Sequence, residues 1–137
     1  MRVVRVSIVI SMLLVMLAVQ TVTATHWTSR TVVDKSVAQQ CVGGTKIEAP
    51  QSGVGYIVFY DGFQGSITFT LNGSLAFATD QPAHVITSIL IAGGPNNAVL
   101  YTYSPGVSSD SGLTAPFNPN SGKPYGFSHV CIYTAKK

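Results

Sequence analysis

Residues 66–78 read SITFTLNGSLAFA, and this stretch decides the class of fold. Its first half alternates strictly, with three large apolar side chains on one face and hydroxyl side chains on the other, as in a half-buried strand. Asn72-Gly73 separates this half from a second apolar segment. Asn-Gly in such a place favours a type I′ turn, because both residues tolerate a positive φ. The stretch therefore predicts a β-hairpin.

Strand signals recur on both sides of this hairpin. Residues 85–91 are apolar on both faces, so we expect them at the centre of a sheet. Residues 104–125 are rich in Gly and Pro and are predicted to form a long ordered loop. Other apolar or alternating segments are 31–33, 46–49, 56–60, 99–103 and 127–134. Short strands at this spacing predict an all-β fold, an antiparallel β-sandwich of about seven strands.

The start of the chain differs in kind from the rest. Arg2 and Arg5 precede an apolar run at 8–19, which gives way to small and polar residues. This pattern predicts a cleavable signal peptide, and the run is shorter than the roughly 20 residues of a membrane span. An uncleaved membrane anchor is the alternative. We expect a secreted, extracellular protein with no membrane contact after cleavage. The expected regions are a signal peptide at 1–24, an N-terminal extension at 25–40 and a β-sandwich domain at 41–137.

The charge balance argues against nucleic acid as a partner. The chain has eight Lys and Arg residues against five Asp and Glu. Two of the eight, Arg2 and Arg5, belong to the predicted leader, so six basic residues remain against five acidic ones. A nucleic-acid binder gathers its basic residues into a patch or stripe. Here they are scattered, apart from a pair at the C-terminus.

Cys41 and Cys131 are the two cysteines of the chain, and they stand near opposite ends of the predicted domain. In an oxidising compartment an isolated pair most simply forms one disulfide. Closing a loop of about 90 residues would stabilise the fold by roughly 4 to 5 kcal/mol in the chain-entropy model. Two free thiols for catalysis or metal binding are the alternative, but such sites have closer spacing.

Several short motifs follow one another in order between residues 41 and 133. They are Cys41 with Lys46-Ile47-Glu48, Gly93-Gly94-Pro95-Asn96 before Tyr101-Thr102-Tyr103, the loop 110–116 with Asn118-Pro119, and Ser128-His129-Val130-Cys131. In this order they resemble a β-rich domain of secreted and cell-surface proteins, largely bacterial. The closing Cys of that family stands two residues further on, which keeps the same face of a strand. The resemblance implies location and fold, and no defined activity.

Three histidines are the first candidates for chemistry. His26, His84 and His129 are far apart, whereas zinc ligands usually include a closely spaced pair. His129 shares a predicted strand face with Cys131. We expect its ring to bond a carbonyl of the loop 110–125, a structural role; the alternative is the imidazole of a small hydrolase. No Gly-x-Ser-x-Gly motif marks a nucleophile, so no catalytic residue is predicted.

Other candidate residues are compatible with ligands or with ordinary structure. Asp110 offers an oxygen for calcium together with nearby asparagines, although turns use Asp and Asn equally well. Trp27, Tyr101 and Tyr103 are candidates for stacking on a sugar, although strand tyrosines more often pack in the core. Asn72 begins an Asn-Gly-Ser glycosylation sequon. We expect no metal and no cofactor.

These observations favour a non-enzymatic secreted or surface-associated module with structural, adhesive or self-assembly duties. Residues 25–40 would supply a strand to the open edge of a neighbour. A carbohydrate-binding module is the alternative, which exposed coplanar aromatic rings on one sheet face would support. A small secreted hydrolase is less favoured. The expected partners are a second copy of the chain or surface glycans.

Overall fold

The computed structural model describes residues 27–137, which form two antiparallel sheets and one short helix. The predicted leader, residues 1–24, and His26 lie outside the described residues. The antiparallel β-sandwich with one disulfide is confirmed, with nine strands in the described part of the chain instead of about seven. The elements are β1 (Ser29–Asp34), α1 (Lys35–Gln40), β2 (Thr45–Glu48), β3 (Gly53–Val58), β4 (Gln64–Leu71), β5 (Leu75–Ala78), β6 (His84–Ala92), β7 (Asn97–Val107), β8 (Ser109–Leu113) and β9 (His129–Lys136).

The strands divide into a five-stranded sheet in the order β1-β7-β6-β9-β2 and a four-stranded sheet in the order β3-β4-β5-β8. β6 pairs with β7 on one side and β9 on the other, so its predicted central position is confirmed. The main core fills the space between the sheets, because alternate side chains of each strand point inward. Its largest fully buried members include Ile57, Phe59, Ile67, Leu75, Ile89, Tyr101 and Ile132.

The hairpin predicted from residues 66–78 is present as β4 and β5, but its turn is not type I′. Leu71 pairs with Leu75, which leaves a three-residue loop. Within it, the N–H of Asn72 donates to the carbonyl of Ser74 at 3.0 Å. Gly73 has a φ of 71°, whereas Asn72 does not have a positive φ. A type I′ turn needs a positive φ at both central residues, so that part of the prediction was wrong.

The predicted loop at 104–125 is partly strand. β7 continues to Val107, and β8 follows after the single residue Ser108. The pairing of β6 with β7 shifts register here, so residues 103–106 lie outside the regular ladder. Pro105 falls in this irregularity, where its missing N–H breaks no ladder bond. The chain therefore crosses from the five-stranded sheet to the four-stranded sheet through one residue.

α1 was not predicted, and it covers the outer side of the five-stranded sheet. The helix begins after Asp34, whose side chain accepts a hydrogen bond from the N–H of Ser36 at 2.9 Å. It ends at Cys41, which is in the left-handed conformation. Ala38 packs on Leu90 and its neighbours in a second, smaller core. β1 pairs with β7, so the segment assigned to an N-terminal extension contributes two elements packed on this sheet. Within the described residues, no helix has the length and apolarity that a membrane span requires.

Candidate functional site

The predicted bridge between Cys41 and Cys131 is present, with the two Cα atoms 5.6 Å apart. Cys131 lies in β9 with its side chain on the outer face of the sheet, and it is fully buried. Cys41 ends α1, so the bridge fastens the helix to the sheet beneath it. Both sulfurs belong to the smaller core with Ala92 and Ala98. The bridge is therefore part of the covering of this face.

Tyr101 is buried between the sheets and is 2% exposed. Its hydroxyl accepts hydrogen bonds from the N–H of Thr114 at 3.0 Å and from Nε of Arg30 at 3.2 Å. The ring of Trp27 packs edge-on against Tyr101, with centroids 6.0 Å apart. Because these contacts fill its surroundings, the ring of Tyr101 does not offer a face to a sugar.

Tyr103 and Asp110 form a buried polar pair between β7 and β8. The hydroxyl of Tyr103 donates to Oδ2 of Asp110 at 2.9 Å, and Oδ1 accepts from the N–H of Ser111 at 2.8 Å. Burial, and then the bond to Asp110, raise the pKa of Tyr103 well above its ordinary value. The carboxylate is 5% exposed. The pair holds two neighbouring strands of different sheets together and is closed to solvent.

His129 is also buried, but on the opposite side of the five-stranded sheet from Tyr101. Val130 takes the inner face, so the ring of His129 points outward to α1 and shares its face with Cys131, as predicted. Its Nδ1 meets the hydroxyl of Ser128 at 3.2 Å, and its Nε2 has no hydrogen-bond partner among the described residues. The expected bond to a carbonyl of the loop 110–125 is absent there, because strand alternation turns the ring away from the core.

Burial and the charges of neighbouring side chains together set the pKa of His129. Burial, followed by the charge of Lys46, lowers its pKa, while the charge of Glu48 acts in the other direction. No carboxylate among the described residues completes the acid–imidazole–hydroxyl chain that a hydrolase needs. Residues 27–137 also contain no cluster of three His, Cys, Asp or Glu side chains suited to a metal ion.

The histidine that does meet a carboxylate is His84. Its Nε2 lies 2.9 Å from Oδ2 of Asp61, and this hydrogen bond lowers the pKa of the carboxyl group. The imidazole stacks on the ring of Phe63, with the two ring centroids 5.2 Å apart. The centroid of the Phe59 ring lies 4.4 Å from that of the imidazole. The pair fastens the loop between β3 and β4 to the first residue of β6. Sequence reasoning missed it, because the partners are 23 residues apart and no local pattern links them.

Asn72, the predicted glycosylation position, is exposed in the loop between β4 and β5. Its side chain has no hydrogen bond to the described residues, so the sequon is sterically accessible at the end of the hairpin.

The most exposed apolar surface follows β3, along a row that we call the β3 stripe: Val54, Tyr56, Val58 and Tyr60. Tyr56 is 76% exposed and Val54 is 64% exposed. The residues between them face the core or lie against it, so the stripe is the outward side of a half-buried strand. Residues 49–60 contain no charged side chain, and this uncharged segment can be identified from the sequence alone.

One side of the β3 main chain faces away from β4, and Thr45 of β2 covers this side at Val58. The N–H of Val58 donates to Oγ1 of Thr45 at 3.0 Å, and that hydroxyl donates back to the carbonyl of Val58 at 3.0 Å. Val58 therefore turns both groups away from β4. In an antiparallel pair this orientation alternates, so Val54 and Tyr56 point their N–H and C=O groups to the same open side.

The other edge strands of the described sheets are guarded. β1 contains Arg30 and Asp34, and the four-residue β2 contains an ion pair between Lys46 and Glu48 at 2.9 Å. The short β8 carries the inward carboxylate of Asp110. Charges, short length and inward polar groups are the devices that stop sheet edges from pairing with other chains. β3 has six residues and no charge.

Searches of protein families, curated proteins and solved structures found no match to this chain. The function is therefore inferred from the geometry of the molecule.

Proposed function

We propose that this protein is a non-enzymatic, secreted structural module that joins a second copy of itself along β3. The observation that carries this proposal is that Val54 and Tyr56, in one edge strand, combine main-chain groups turned away from β4 with exposed apolar side chains and no charge. An edge segment without charges or inward polar side chains is a template for another strand. The disulfide is compatible with an extracellular protein, since such bonds persist in oxidising compartments.

The second copy fits best in an antiparallel arrangement about a twofold axis at Gly55. Val54 then lies opposite Tyr56 of the other copy, and the reverse pair follows by symmetry. Both residues turn their peptide groups to the open side, so each pair exchanges two hydrogen bonds, and the interface gains four. An aromatic side chain opposite a β-branched one contributes about 0.2–1 kcal/mol per pair. The result is one continuous eight-stranded sheet.

Charge does not oppose this pairing. Neither strand edge carries a charged side chain, so two identical surfaces meet without like-charge repulsion. The neighbouring strand β4 presents Ser66, Thr68 and Thr70 on the same outer face. The joined sheets would therefore share an uncharged surface around a central apolar strip.

Mixed disulfide formation tests the register. Val54→Cys and Tyr56→Cys variants are prepared separately, mixed, and oxidised in air. Opposite residues of a hydrogen-bonded pair lie about 5.5 Å apart between Cα atoms, which a disulfide can bridge. Like residues are diagonal at roughly 7–8 Å, near or beyond that limit. We therefore expect covalent dimers from the mixture and few from either variant alone.

Sedimentation of the oxidised protein tests the association itself. The unmodified chain is expected to dimerise, and Tyr56→Lys is expected to be monomeric, because it places two ammonium groups beside the twofold axis. Thr68→Lys is the matched control, since it adds the same charge to an exposed position on β4 and should leave the dimer in place. A monomeric unmodified protein, or equal dimerisation of Tyr56→Lys, would overturn the proposal.

A further inference from the structure

A groove lies at the end of the sandwich opposite the loop 59–63. We call it the loop groove, and it runs between the turn after β6 and the connection from β8 to β9. Its volume is about 160 Å³, below the roughly 300–1,000 Å³ of enclosed small-molecule sites, so only part of a ligand would lie in it. Its lining includes Pro95, Asn96, Asn97, Phe117, Pro119 and Tyr125. We propose that the loop groove binds a neutral saccharide, a role beyond self-association.

The aromatic side of the groove is supplied by Phe117. Its side chain is 58% exposed, although the segment around it is well ordered by hydrogen bonds. The N–H of Asn118 donates to the carbonyl of Lys123 at 2.8 Å, and the N–H of Tyr125 donates to that of Pro116 at 2.9 Å. The connection thus holds an apolar ring in water. The C–H face of a sugar ring is a surface that would cover it while leaving the hydroxyls solvated.

The polar side of the groove suits hydroxyl groups. Asn96 and Asn97 are exposed, and their side-chain amides each offer donors and an acceptor. A sugar hydroxyl both donates and accepts, so an amide can satisfy it in either role. None of the lining residues is charged. The nearby ammonium of Lys35 donates to the carbonyl of Gly94 at 2.9 Å, so it is engaged in holding the turn. These features favour a neutral ligand over an anionic one.

The two walls of the groove are fixed against each other. A Cβ atom added to Gly94 would lie 2.5 Å from the ring of Tyr125, and one added to Gly93 would lie 2.5 Å from the carbonyl of Gly126. The turn therefore packs its bare backbone directly on the opposite segment. A site formed in advance loses less conformational entropy when a ligand binds. The two glycines of the Gly93-Gly94-Pro95-Asn96 motif are therefore needed for the close packing of the turn on the opposite segment.

Titration of the isotope-labelled, oxidised protein tests the inference. The probes are four neutral hexasaccharides, from cellulose, chitin, mannan and starch, with an anionic hexagalacturonate for comparison. We expect at least one neutral probe to bind with a Kd of about 1 mM or tighter, and to shift the amide resonances of residues 93–97 and 116–125. Phe117→Ala should weaken this binding about tenfold, and Asn97→Ala about threefold.

Phe63→Ala is the matched control, because Phe63 is a comparably exposed ring at the other end of the molecule. It should change the affinity less than about twofold. Unchanged thermal unfolding of each variant shows that a loss of binding is local. The inference is overturned if none of the four neutral probes binds, if Phe117→Ala binds as tightly as the unmodified protein, or if hexagalacturonate binds more tightly than every neutral probe.

Discussion

The outer face of one sheet is covered by other elements of the chain, and the outer face of the other sheet is exposed to solvent. Outside the five-stranded sheet, α1 and the Cys41–Cys131 bridge cover Leu90, Ala92 and Ala98, which are all buried. Outside the four-stranded sheet, the described residues provide no such cover, and β4 presents hydroxyl side chains to solvent. The centre of one sheet is thus buried on both faces, while the other sheet has one solvated face, as many antiparallel sheets do.

The solvated face of the four-stranded sheet is polar along β4 but apolar along β3. A solvated face normally carries polar side chains, and β4 follows this pattern. The β3 stripe does not, since it places Val54 and Tyr56 in water beside that polar surface. Exposed apolar side chains are ordinary when single and informative when contiguous. The contrast therefore points to β3 as the part of the uncovered face that meets another molecule.

The largest expected effect comes from removing the covering of the five-stranded sheet. Replacing both Cys41 and Cys131 by Ser should lower the free energy of unfolding by about 4 kcal/mol, because the bridge closes a loop of 90 residues. Urea denaturation measures the loss. Thr68→Ser and Thr70→Ser, on the uncovered face, should each stay within about 0.5 kcal/mol. A loss below about 1 kcal/mol for the double Ser variant would show that the covering contributes little.

A pair of glycine substitutions gives an intermediate effect. The Cβ of Gly44→Ala would lie 2.8 Å from Sγ of Cys131 and 2.9 Å from the carbonyl of Ile132, so we expect a loss of about 1–3 kcal/mol. The Cβ of Gly55→Ala in β3 would meet Phe69 at 3.6 Å, an ordinary contact, and stability should change by less than about 0.5 kcal/mol. Thermal unfolding compares them. Equal losses would contradict the idea that the bridged side is the tightly packed one.

The smallest expected effects are two pH dependences in separate ranges. Burial lowers the pKa of His129 below its ordinary value of 6.5, so the unfolded chain takes up this proton first and stability falls as the pH drops below 6.5. The bond from His84 lowers the pKa of Asp61 below 3.8, so its contribution is present above 3.8 and is lost as the pH falls further. Urea midpoints across both ranges measure these slopes.

Two variants separate the slopes. His129→Phe should flatten the fall below pH 6.5 and leave the acid range unchanged, because Phe fills a similar volume without titrating. Asp61→Asn should make the slope below pH 3.8 shallower. Asp34 and Glu48, whose pKa values are also lowered by hydrogen bonds, keep some acid dependence. If His129→Phe retained the upper slope, the buried ring would not be its source.

The features that sequence predicted well are those written in short, regular patterns. The alternation at 66–78 predicted β4 and β5, and the unbroken apolar segment 85–91 predicted the central strand β6. The disulfide was predicted from the two cysteines of the chain, together with a leader that the sequence predicts to be secretory. These inferences needed no knowledge of which strands pair.

What sequence did not predict depends on contacts between distant residues. α1 has six residues and no amphipathic period, and it is held by the bridge and by Ala38 packing on the sheet. The bond between His84 and Asp61 exists only once β6 lies beside the loop after β3. Which strands lie at the edge of a sheet is likewise known only from the strand order. The uncharged segment 49–60 could therefore not be interpreted until β3 was found at an edge.

The crossing at Ser108 has a mechanical consequence. On that side of the sandwich the two sheets are joined by a single residue and by the Tyr103–Asp110 bond, so they cannot separate far there. On the far side, β2 and β3 are joined by the four-residue connection 49–52 and by the hydrogen bonds of the Thr45 hydroxyl with Val58. If the two sheets separate, we expect separation to begin at the β2–β3 side, where Ile57 would be the first fully buried core side chain to meet water.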